Sequence, residues 1–456
     1  MNITNKDLIW NYLATFLRIS SSAILFPFIL KMMPIETVGI WTIFVAITAF
    51  AALLDFGFSS SFARNVSYVF SGVKYLKKNG HEVVNSGNGC VDYGLLKGVI
   101  SVMKWYYFRV AIVLFIAYTT VGTYYISTLL ISYSESKLEI FVSWGILCFI
   151  ITYNLYTLYY DALLQGKGLI KQSKQILILG QLLYLLVAST LLVFNFGLIS
   201  IVSAQLISVV VVRAISYKVF YSKELIISLG QVKPRSRKEI LEVISPNALK
   251  IGLTSLGGFL VNKSSVVLGS LFLTLSEIAS YGVTMQIIGI ISSLGGIYMM
   301  TYLPKVAQFR INENLESIKK IYLRAQLLLL FTFVVGGMVL VYLGESFFTL
   351  IGSKTPLLST GLILFSLCIS FLEKRHSISG AILLSKNEVP FFKASLYSGL
   401  GTILILLVLF EFYELGVITL IISPGIVQAI YQNWKWPLEV KREFNIKLKD
   451  LMSVLN

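Results

Sequence analysis

Twelve apolar runs alternate with short polar connections along the chain: 10–31, 39–59, 105–128, 140–162, 174–194, 198–220, 247–272, 279–303, 322–343, 357–378, 390–410 and 415–432. A membrane-crossing helix needs roughly 20 apolar residues, so each run is a candidate span. The runs are continuously apolar rather than alternating, which excludes a β-barrel. Backbone groups in lipid must be satisfied within their own segment, so helices are the predicted element. The longest polar stretches are 60–104 and 221–246. The first holds Lys74, Lys77, Lys78 and a Gly/Asn-rich patch at 85–89, and reads as a cytoplasmic loop with short amphipathic helices. The second contains Pro234-Arg235-Ser236-Arg237-Lys238 and divides the chain near its middle. Ser245-Pro246 then has the form of an N-cap followed by proline at the first helical position, predicting a helix start there.

The predicted architecture is an all-α polytopic membrane protein. Twelve transmembrane helices form two six-helix halves. An N-terminal lobe covers 1–222, a cytoplasmic linker 223–244, a C-terminal lobe 245–436 and a cytoplasmic tail 437–456. Met1 to Trp10 is polar, and the run from Tyr12 to Met33 is too long for the apolar part of a signal peptide, so the first span is expected to stay in the mature protein.

Composition agrees with this pattern. Hydrophobic residues make up 56% of the 456 and charged residues only 13%, against about 25% charged in soluble domains. The mean hydropathy is +0.80. All six tryptophans, Trp10, Trp41, Trp105, Trp144, Trp434 and Trp436, stand at or just beyond predicted span ends, as an interfacial aromatic belt would place them.

The net charge of +16 would suggest nucleic acid for a soluble protein. Its distribution argues otherwise. With the N-terminus placed inside, and counting the basic residues at span edges with the adjoining loop, 33 of the 38 Lys and Arg residues belong to the N-terminus, the even-numbered loops and the C-terminal tail. Only Lys31, Lys137 and Lys354 fall on the odd-numbered loops, and Arg18 and Lys263 lie within spans. Basic residues collect on the cytoplasmic side of membrane proteins, so both termini are expected there and no nucleic acid partner is expected. The three cysteines, Cys90, Cys148 and Cys368, are too scattered for a disulfide framework or a metal site.

Enzymatic chemistry has little support. His81 and His376 have no Cys, Asp or Glu at metal-ligand or triad spacing, and no metal or cofactor is expected. Charges inside spans carry the information, because they are costly in lipid and functional by default. Arg18 lies about nine residues into the first span, close to mid-bilayer at 1.5 Å per residue. Lys263 lies somewhat past the middle of the seventh, with Asn262 beside it. Both read as cavity cations that bind substrate. Asp55, late in the second span, reads as a cap or as a partner for Arg64 or Arg18; the sharper alternative is a proton or sodium site. Asp161, Arg213 and Lys250 stand at cytoplasmic span ends. Asn154, Gln181, Gln205, Gln286 and Gln326 lie within spans and are expected to bond across helices. Asn262, Arg64, Gln286 and Asn154 are secondary cavity candidates. No acid lies mid-span in spans one, seven or eight, so the buried charge counts as two cations against one peripheral carboxylate. Such a cavity attracts anions, and arginine offers two-pronged recognition of phosphate.

The halves echo one another. Glu36 and Glu277 precede spans two and eight, and Arg64 and Lys305 follow them, both pairs at an offset of 241. Two halves in the same orientation are a plan common among transporters.

The segment Gly39-Ile40-Trp41, then Leu53-Leu54-Asp55-Phe56-Gly57-Phe58, then Arg64, resembles the span-two signature of polysaccharide-exporter flippases. These are the Wzx-like branch of the multidrug/oligosaccharidyl-lipid/polysaccharide (MOP) superfamily. Leu164-Gln165-Gly166-Lys167 after span four is similar as well. The resemblance covers the full twelve-span length. It implies a V-shaped pair of six-helix lobes around a central cavity, and translocation of an undecaprenyl-diphosphate-linked oligosaccharide across the bacterial inner membrane for O-antigen, capsule or exopolysaccharide synthesis. Arg18 matches that family's tendency to place a cation in span one; the match of Lys263 is looser. The implied partners are the lipid-linked oligosaccharide, membrane lipid and polysaccharide polymerase or assembly proteins, with the transporter itself a monomer. A cation-coupled drug or metabolite antiporter of the same fold is the alternative reading, and a membrane glycosyltransferase is a third.

Overall fold

A computed structural model of the chain describes residues 5–76, 91–131, 133–311, 313–386, 390–447 and 450, and every apolar run falls on helix. The chain opens with α1 (Asn5–Met32), α2 (Ile35–Leu53) and α3 (Phe58–Phe70). Helix α4 (Tyr93–Ala117) passes through a π-helical stretch, Tyr118–Gly122, into α5 (Thr123–Leu129). Next come α6 (Lys137–Thr157), α7 (Tyr159–Gly166), α8 (Ile170–Val193), α9 (Gly197–Phe220) and α10 (Lys223–Gly230). The remainder is α11 (Arg237–Asn262), α12 (Ser264–Gly269), α13 (Leu275–Ile311), α14 (Leu315–Ile351), α15 (Thr360–Leu384), α16 (Phe392–Phe412), α17 (Ile418–Ile430) and α18 (Gln432–Glu443). No strand occurs among the described residues.

Eight segments are long and apolar enough to cross a membrane by length and composition: α2, α4–α5, α6–α7, α8, α9, α13, α14 and α16. The other four runs lie on α1, α11–α12, α15 and α17. The apolar run on α15 is broken by the charges Glu373-Lys374-Arg375, while the helix itself continues, and α17 has only 13 residues. Exposed apolar stripes mark surfaces made for lipid: on α14, Phe331, Val335, Met338 and Tyr342 follow one another at helical spacing, all exposed.

Two expectations change. Helix α11 starts at Arg237, not at Ser245-Pro246. The preceding segment is held against α4, where the Arg235 amide donates to the Gly94 carbonyl at 3.2 Å, and the helix starts directly beyond that anchor. The aromatic belt is also thinner than the sequence implied. Trp41, Trp144 and Trp436 are buried in protein, and the Trp144 indole donates to Thr123 at 3.0 Å. A span end that is packed by neighbouring helices does not reach headgroups.

The chain forms two compact units, residues 1–32 with 47–255 and residues 33–46 with 256–456. In the first, α1 packs on α8, α8 on α9, α9 on α6, α6 on α4, and α3 on α7. Small residues permit these approaches. A side chain at Gly166 would meet Val66 at 2.5 Å and the Ala63 carbonyl at 2.7 Å. Gln181 donates to Ser21 at 2.6 Å, joining α8 to α1. In the second unit, α13 packs on α14, α14 on α15, α15 on α18, and α16 on α17. The first part of α2 belongs to this unit. There Gly39 faces the Leu275 carbonyl and Gly282 faces Thr42, with only 2.3 Å to spare for a side-chain carbon in each case.

Candidate functional site

The α2–α3 turn carries the first set of polar side chains. Phe56 and Gly57 adopt positive φ, 45° and 70°. Glycine suits the second position because a side chain is strained there. The turn aims the Asp55 carboxylate back at α3, where the Ser59 amide donates to it at 3.0 and 3.3 Å. The Tyr107 phenol on α4 donates to the same carboxylate at 2.5 Å, and the Tyr106 phenol donates to the Leu54 carbonyl at 3.1 Å. The described partners of Asp55 are thus amide and phenol groups, while Arg64 is exposed. The second resembling motif has its own structural content. The Lys167 ammonium donates to the Phe220 carbonyl at 3.2 Å and so caps the end of α9.

A buried ion pair lies nearby in the same unit. Arg213, 6% exposed, donates to Asp161 at 2.9 Å and to the Asn154 amide oxygen at 2.7 Å. Asn154 therefore bonds across helices, from α6 to α9, although its side chain is itself exposed. Asp161 also acts electrostatically on Asp55.

The second unit holds the densest charge inside an apolar run. Span seven pauses at Lys263, the single residue between α11 and α12, with φ −125°. Interrupted spans are where transporters expose backbone and side chains to cargo. Lys263 and Asn262 are both exposed. The Asn262 amide donates to the Gly258 carbonyl at 3.0 Å, back along its own helix. Glu373 on α15 lies within electrostatic reach of Lys263 and Lys374. Tyr281 on α13 lies within electrostatic reach of Glu373. Lys374 crosses to α13, where its Cε would stand 2.5 Å from a side chain at Gly296. Glu373 is the residue sequence reasoning missed. It precedes Lys374-Arg375-His376, and a run of charges reads as a solvated span end. Its presence changes the charge count: the second unit sets Lys263 and Lys374 within electrostatic reach of one carboxylate rather than holding a lone cation.

Arg18 lies in α1, and its side chain is outside the described residues, as is that of Lys250. Gln286 is half-buried on α13. Among the described residues no cluster of three His, Cys, Asp or Glu could hold a metal ion.

No family model matches the sequence, and no curated protein does. Solved structures do match. An inward-facing multidrug-resistance MATE-family transporter of the MOP superfamily superposes with TM-score 0.63 at 15% identity, covering 98% of this chain and 96% of that one. The fold is that of the MOP-superfamily transporters. The lipid II flippase MurJ matches equally well, with TM-score 0.63, 13% identity, and 98% and 89% coverage. The MATE multidrug transporter DinF-BH gives 0.60 at 14% identity, covering 96% of each chain. The MOP fold thus extends over nearly the whole chain, a multi-pass all-α membrane protein.

Proposed function

We propose that the protein is a flippase for a polyprenyl-diphosphate-linked oligosaccharide in the bacterial inner membrane, serving O-antigen, capsule or exopolysaccharide synthesis. Both termini are placed in the cytoplasm by the distribution of basic residues. The observation that carries the reading is the charged cluster of the second unit, where Lys263 and Lys374 outnumber Glu373 by two to one. A net cation beside an interrupted span suits a pyrophosphate. Arg18 and Lys263 are assigned to the pyrophosphate, Arg64, Gln286, Asn154 and Asn262 to the sugar side. The fold shared with a lipid II flippase supports a lipid-linked cargo.

A second reading has its own observation. Glu373 is a carboxylate within an apolar run, and the fold is shared equally with multidrug transporters. A cation-coupled antiporter would need that carboxylate to exchange a proton or sodium ion. Proteoliposomes decide between the two. Translocation of a polyprenyl-diphosphate oligosaccharide that survives Glu373→Gln supports the flippase. Ion-driven export of an organic cation that Glu373→Gln abolishes, without lipid translocation, replaces it with the antiporter.

A further inference from the structure

The segment between α10 and α11 is strapped along the first turns of α4. The Arg235 guanidinium pairs with Asp92, the α4 N-cap, at 2.6 Å. The Lys97 ammonium donates to the Leu229 and Val232 carbonyls at 2.7 and 2.8 Å. Arg237 donates through Nε to Ser101 at 2.9 Å. Gly98 makes room for the strap, since a side chain there would lie 2.8 Å from Ile240 and 3.2 Å from the Arg235 backbone.

The strap and α4 enclose an open cavity of about 420 Å³, lined by Lys97, Lys104, Arg237, Ser101, Trp105 and Tyr156 among others. Three cations face it and no carboxylate does. Lys97 is occupied by carbonyls, but Lys104 and Arg237 are exposed. Arg237 commits one of the five N–H donors of a guanidinium to Ser101. The cavity therefore selects an anion, and a phosphate fits the guanidinium fork.

The surface beside it indicates which anion. Residue 105 begins the third apolar run. From Lys104 the same face of α4 continues through Phe108, Ile112 and Phe115, which are 54%, 42% and 42% exposed. The cationic mouth thus stands at the head of an apolar stripe, with Trp105 at the boundary. A soluble anion would use only the mouth, whereas a lipid uses both.

We propose that this cavity binds the phosphate headgroup of an anionic diacyl phospholipid, with its acyl chains along Phe108, Ile112 and Phe115. Basic pockets beside membrane helices hold such headgroups through the same charges. The proposal does not depend on what the protein carries. The site would tie the strap, and with it the start of α11, to the lipid composition of one leaflet.

The test uses the full-length protein in neutral detergent, titrated with phosphatidylglycerol, phosphatidylcholine or inorganic phosphate, and read by retained lipid in native mass spectrometry and by thermal midpoint. Phosphatidylglycerol should be retained and should raise the midpoint, while phosphatidylcholine and inorganic phosphate should do neither. Removing two charges in K104Q/R237Q should weaken phosphatidylglycerol retention roughly thirtyfold. The charge-conserving K104R/R237K should keep most of it, and also covers the case in which the neutral pair folds poorly. The control K320Q/K393Q removes two exposed lysines elsewhere and should change nothing. Wild-type-like retention by K104Q/R237Q, equal losses in the control, or loss in K104R/R237K as large as in the neutral pair overturns the site. Inorganic phosphate stabilising as well as phosphatidylglycerol overturns the lipid assignment. Displacement of phosphatidylglycerol by an equal amount of a polyprenyl diphosphate overturns the diacyl assignment.

Discussion

Tyr107 of α4 donates to the Asp55 carboxylate over 2.5 Å and locks the α2–α3 turn onto α4. The same carboxylate caps α3 through the Ser59 amide. Both bonds need an acceptor oxygen at that place, and asparagine supplies one. Asp55→Asn should therefore lower the thermal midpoint less than Asp55→Ala. The alanine variant should lose about 1 kcal/mol for the cap and a further 1–3 kcal/mol for the stranded phenol. Tyr107→Phe combined with Asp55→Ala should cost less than the two single changes summed, because neither partner is left unsatisfied. Normal stability of both single variants with complete loss of transport would instead mark Asp55 as an ion site.

The buried Arg213–Asp161 pair gives a second prediction. Asp161→Ala leaves a guanidinium buried with only Asn154 to accept from it, which should cost about 3–5 kcal/mol. Arg213→Met with Asp161→Leu removes both charges together and should recover much of that loss. Yields of monodisperse protein on size exclusion would read the difference. Equal yields from Asp161→Ala and wild type would show the pair to be energetically neutral.

The approach of α2 to α13 is governed by two glycines. Gly282→Val should collapse yield and thermal midpoint, because its side chain would occupy the space of Thr42. Gly282→Ala should be partly rescued by Thr42→Gly, which vacates that space. A stable Gly282→Val protein would mean that α2 can withdraw without cost.

Arg18 provides the sharpest functional test. If it holds pyrophosphate, Arg18→Ala and Arg18→Glu should fail to complement a flippase-null strain while still inserting. Arg18→Lys should keep partial activity, since charge survives but the fork geometry does not. Lys263→Ala should follow more mildly, because Lys374 remains beside Glu373. The double alanine variant should be additive unless both touch one phosphate. Arg18→Met at normal expression with full activity would remove the anion-binding role.

Topology can be checked separately. Reporter fusions at Asn195 and Ser353 should read periplasmic, and fusions at Gly87 and Gln231 cytoplasmic. A periplasmic signal at Gln231 would overturn the assignment of the basic loops to the inside.

The helical nature of the twelve apolar runs was legible in the sequence. Each span satisfies its backbone internally and buries itself in lipid residue by residue, so the information is local. What surrounds each polar side chain was not legible. Asp55 meets Tyr107 from 52 positions away, and Arg213 meets Asp161 and Asn154 from 52 and 59. Glu373 acts electrostatically on Lys263 from another helix altogether. Spacing along one helix orders faces but does not say which helix stands opposite. The strap on α4 and the grouping of residues 33–46 with the second unit have the same origin. They are decided by which glycines allow backbones to approach and which carbonyls at helix ends lack donors, and only the packed helices settle both.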